Sequence, residues 1–145
     1  MKSYLIENYA NLQSLIGISF MFLMLAIIFI SYVINGYNYK IIAKAYENKF
    51  GLLPQTARLA RGASLIGTPA AYFAKIDFIM GSLIFPYNRV INHDMSIESY
   101  NYIRNLPGHL TTGFKIEAAL WLAELVLAMA FMLRKVRISG EILLG

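Results

Sequence analysis

The chain contains no cysteine, which excludes disulfides, thiolate metal sites and iron–sulfur ligation. Histidine occurs only at His93 and His109, too few for a site that needs three or four ligands of that kind. No P-loop, no dinucleotide-binding glycine pattern and no G-x-S-x-G is present, and the sequence offers no catalytic residue, metal or cofactor. Charge is scarce as well: Asp, Glu, Lys and Arg make up 14% of the residues, against 58% hydrophobic ones. With a mean hydropathy of +0.54, the chain is too apolar for an ordinary water-soluble domain. The net charge of +5 is scattered beside apolar runs, so it suits anionic lipid head groups rather than nucleic acid.

What is present is a long apolar run. Ser14–Ile34 carries no charge, proline or histidine, and at 1.5 Å per residue it covers about 30 Å, the thickness of a bilayer's hydrocarbon core. In oil every backbone N–H and C=O must be satisfied locally, which a helix does within one segment. The run exceeds a signal peptide's apolar core and no A-x-A follows it, so it reads as an uncleaved transmembrane anchor. A second run, 116–133, reads as another transmembrane helix, closed by Arg134, Lys135 and Arg137.

Between the runs the chain alternates. Residues 37–50 form a basic juxtamembrane helix with Lys40, Lys44 and Lys49 set at head-group level, ended by Gly51 and Pro54. Asp94 or Ser96 can cap a short polar helix over 94–105. Its face of Ile97, Tyr100 and Ile103 or Arg104 is suited to lie along a membrane surface. The central apolar segment 63–86 is long enough to cross but carries Lys75 and Asp77 near its middle, and Gly67, Thr68 and Pro69 break it early. Each such charge costs about 2.5–3.5 kcal/mol at the bilayer centre. The expected fold is therefore an all-α integral membrane protein, one membrane domain with two transmembrane helices and a membrane-associated or re-entrant central segment. The basic clusters beside both spans argue instead for a third crossing by that segment.

The chemistry-bearing positions are the intramembrane polar residues Glu117, Glu124, Lys75 and Asp77. At 100° per residue Glu117, Trp121, Glu124 and Ala128 share one helix face, and Ala119, Ala123 and Ala130 another. The alanines are expected to let helices approach closely in lipid. Glu124 is read as a packing anchor, protonated or paired with a cation such as Lys75; the functional alternative is proton or ion handling.

The stretches SYVINGYNYKIIAKAY and LIFPYNRVINHD…YIRNL…FKIEAAL give the chain a layout that resembles the universal stress protein B family of bacterial inner-membrane proteins. That resemblance covers about half the chain. It implies a stress-associated inner-membrane protein without a catalytic site, and carries over no functional residues. The expected function is non-enzymatic, in envelope stress tolerance, with the bilayer and other membrane helices as partners. The alternatives are an accessory subunit of a larger transport, secretion or respiratory complex, and an ion- or proton-conducting oligomer lined by Glu124.

Overall fold

In the computed structural model the backbone is described for residues 2–144 and the side chains for 11–133. The head-group positions Arg134, Lys135 and Arg137 therefore lie outside the described side chains. The described residues are all-helical, with six α-helices and one π-helical segment. Helix α1 (Lys2–Phe29) passes directly into the π-segment (Ile30–Asn35) and then α2 (Gly36–Phe50). After it come α3 (Gln55–Leu59), α4 (Pro69–Ile84), α5 (Ile97–Arg104) and α6 (Gly108–Leu144). Two stretches are long and apolar enough to cross a membrane, Asn11–Phe50 and Gly108–Leu133. Each is longer than its apolar run, because hydropathy marks the oil-compatible part of a helix and not its ends.

The helix ends follow local chemistry. Helix α2 stops at Gly51, whose φ of 85° lies in the region that a side chain disfavours, while its N–H closes on Glu47 O at 2.8 Å. Pro54 then bars continuation. Gly67, Thr68 and Pro69 were expected to break the central segment early. They do: residues 63–68 are not helical, and Pro69 opens α4 at its first turn, where a missing N–H costs nothing. The 16 residues of α4 rise about 24 Å, short of the roughly 30 Å hydrocarbon core. Of the two candidate caps for α5, Ser96 takes the position, accepting from Ser99 N–H at 3.1 Å. Asp94 caps α3 instead, accepting from Thr56 N–H at 3.0 Å and from its hydroxyl at 2.6 Å.

The residues form two compact units. In one, α1 up to Ile27 goes with α6 from Ala119 onward. Its described surface is strongly apolar: Leu15, Met21, Phe22 and Leu25 of α1 and Leu122, Leu125, Val126 and Met129 of α6 are all exposed. Ser19 satisfies its hydroxyl within its own helix, donating to Leu15 O at 2.9 Å. Such an apolar exterior is unusual for a chain surrounded by water.

The other unit, Ile28–Ala118, has a conventional core. Tyr39, Ile42 and Tyr46 of α2, Ile76, Phe78 and Ile79 of α4, and Tyr100 and Ile103 of α5 are buried. Phe78 is its hub, with ring centroids 5.4 Å from Tyr46 and 6.4 Å from Tyr39, both edge-on, the orientation aromatic quadrupoles favour. The apolar face of α5 was expected to lie on a membrane surface. It is used inside the chain: Tyr100 and Ile103 pack in this core, leaving Ile97 exposed, and the Tyr100 hydroxyl donates to Phe85 O at 2.8 Å. An intramolecular partner of matching shape is available to α5, and it covers the face that would otherwise seek lipid.

Phe78 is 2% exposed, and truncating a buried phenylalanine typically costs about 3–5 kcal/mol. Phe78→Ala should therefore lower the unfolding free energy by about that amount, measured by denaturant unfolding in mild detergent.

Candidate functional site

The densest polar arrangement in the described structure surrounds Glu117, one of the expected intramembrane acids. Its side chain is fully buried. Ser31 Oγ donates to one carboxylate oxygen at 2.7 Å and Asn35 Nδ2 to the other at 2.6 Å. The Tyr72 hydroxyl lies across both oxygens, at 3.0 and 3.1 Å. Three donors from two other elements thus converge on one carboxylate of α6. Isolated burial of such a group costs several kcal/mol, and charge-assisted hydrogen bonds at these distances are the means of offsetting it.

The local backbone sets this up. Ser31 and Asn35 lie four residues apart in the π-segment, a spacing that keeps both on one side of the helix, and both are buried. On α6, Gly113 lies one turn before Glu117 and allows the close approach. A Cβ there would collide with the Asn35 side-chain oxygen and come within 2.8 Å of Ile34 Cγ2. That Asn35 oxygen is buried without a hydrogen-bond partner, so the amide is held by its NH2 side alone. Burial, ahead of the neighbouring Glu117, pushes the Tyr72 phenol up from its ordinary value.

The remaining expected site residues fall elsewhere. Glu124 is 5% exposed and its Oε1 is buried without a hydrogen-bond partner. Lys75, proposed from sequence as its cation, donates to Ala63 O at 3.0 Å and sits 4.7 Å over the Tyr39 ring. Asp77 is partly buried, and its carboxyl is raised above the usual range by that burial, then by the charge of Asp94, with His93 acting the other way. Ala119, Ala123 and Ala130 are exposed; the α6 face turned inward is the one with Glu117 and Glu124. Lys40, Lys44 and Lys49 are exposed, and Lys49 lies 4.7 Å over the Tyr102 ring.

Ser31, Asn35 and Tyr72 were not singled out from sequence. A signal existed for the first two: polar residues four apart at the end of an apolar run must face protein or water. Tyr72, separated from Glu117 by 45 positions, left none.

The class defined by this architecture is an all-helical protein with two helices long and apolar enough to span a membrane. No family model, curated protein or solved structure gives a significant match to the chain.

Two outcomes follow. Glu117→Ala leaves three donors buried without their acceptor and should destabilise by about 3 kcal/mol or more, whereas Gly113→Ala should act on the same network by displacing Asn35. A double-mutant cycle read by thermal unfolding should be clearly non-additive; additive costs would show that the two sites are independent. Separately, Asp77 has a folded-state pKa above its unfolded one. The neutral form is thus favoured by folding, and that contribution is present below the ordinary value of 3.8 and lost as pH rises through the folded value. Asp77→Asn should flatten the fall in stability across the mildly acidic range and leave the protein more stable at neutral pH, as a pH series of melting curves would register.

Proposed function

We propose that this chain is a non-enzymatic helical protein of the bacterial inner membrane that acts in envelope stress tolerance. Glu117 serves it as an internal anchor rather than as a proton or ion carrier. The observation that supports the anchor reading is that both Glu117 oxygens are occupied by hydrogen bonds from the chain's own donors in a fully buried site. A carrier group has to exchange partners with water or an ion, and here each exchange would break bonds that tie the π-segment and α4 to α6. The membrane location is supported by the two apolar helices and the exposed Leu, Phe and Met side chains they carry. The stress role rests on the family resemblance of layout.

A second reading, an accessory subunit of a larger membrane complex, is favoured by one feature. Ala119, Ala123 and Ala130 are exposed on α6, and small residues are where membrane helices approach one another closely.

Native mass spectrometry of the protein extracted in mild detergent separates the two. Masses at one or several copies of this chain alone, together with impaired growth of a deletion strain under envelope stress, are the expected result. Foreign subunits retained in fixed stoichiometry would replace this reading by the accessory one.

A further inference from the structure

A cleft of about 510 Å³ opens on the Ile28–Ala118 unit, lined by Tyr32, Val33, Gly36, Tyr37, Tyr39, Lys40, Arg61 and Lys75. Three of its lining residues are cationic and none is acidic. Arg61 is already engaged by Glu47, at 2.9 Å. Lys75 uses one N–H on Ala63 O, leaving two of its three donors free, and Lys40 makes no hydrogen bond or ion pair among the described residues. The two ammonium groups also repel each other: burial first and then the Lys40 charge lower the Lys75 pKa. The Tyr39 hydroxyl is buried without a partner. Like charges gathered with unspent donors against aromatic walls cost stability unless an anion shares them.

We propose that this cleft binds the phosphate of an anionic phospholipid head group, with Lys40 and Lys75 as its principal ligands and Arg61 at its rim. A compact tetrahedral anion suits ammonium groups, which act as point charges with rotatable donors. Tyr32 and Val33, at the end of the first long apolar stretch, are exposed on the same cleft, so acyl chains can continue along apolar surface from a head group held there. The phosphate chemistry is independent of the membrane reading above; only its lipid source rests on that reading.

The test uses the full chain in a neutral detergent, with phosphatidylglycerol, phosphatidylcholine and inorganic phosphate as separate probes. Native mass spectrometry should show phosphatidylglycerol retained at least about tenfold better than phosphatidylcholine, and Lys40→Gln with Lys75→Gln should remove about that preference, the amount expected from losing one to two charge-assisted hydrogen bonds. Lys44→Gln with Lys49→Gln removes the same charge outside the cleft and should leave the preference intact. If Lys75→Gln prevents folding through its lost bond to Ala63, Lys40→Gln alone, at an exposed position, carries the comparison. Thermal stabilisation by millimolar inorganic phosphate that depends on Lys40 and Lys75, without lipid selectivity, would keep the phosphate site and assign it a soluble source. Absence of both effects, or an equal loss in the Lys44/Lys49 variant, overturns the proposal.

Discussion

Everything in the Ile28–Ala118 unit has to accommodate one buried carboxylate. Glu117 has no accessible surface, and an ionisable group placed so costs several kcal/mol unless its lone pairs are used. The chain supplies donors from two directions at once. The π-segment contributes Ser31 and Asn35, α4 contributes Tyr72, and Gly113 removes the side chain that would hold Asn35 away. A widened helix and an unsubstituted glycine both cost intrinsic stability. At Gly113 that cost is offset by the close approach that lets Asn35 reach the carboxylate.

The same constraint links chemistry to rigidity. Each donor comes from an element that also packs apolar surface: Tyr72 opens the helix whose Ile76, Phe78 and Ile79 fill the core, and Asn35 leads directly into α2 with Tyr39, Ile42 and Tyr46. With both Glu117 oxygens occupied by donors of the chain, one arrangement of helices is favoured, since any slip along α6 leaves those buried donors unpaired. Glu117 differs in this from Glu124, whose Oε1 has no hydrogen-bond partner.

The two units also divide the solvent problem. The α1–α6 unit exposes large apolar side chains, and Ser19 there spends its hydroxyl within its own helix. The Ile28–Ala118 unit buries Tyr39, Tyr46, Tyr72, Phe78 and Tyr100 together with Glu117, and exposes Lys40, Lys44, Lys49 and Arg61. The cationic cleft lies where the first apolar stretch gives way to basic α2.

By itself the sequence determined the all-helical class, the two apolar helices and the local punctuation. Those depend on neighbours in the chain: apolar run length for the long helices, Gly51 for the end of α2, and a capping residue at Asp94 or Ser96 for the start of α5. Only the tertiary structure decided which acid gathers the donors, because Glu117 and Glu124 look alike in their helix and differ in the partners brought to them from 45 to 86 positions away. It likewise turned α5 inward, sent Asp94 to cap α3 and set Lys75 on Tyr39. In each case several partners satisfy the local chemistry equally, and the choice falls to the one that packing places within hydrogen-bond or ring-contact distance.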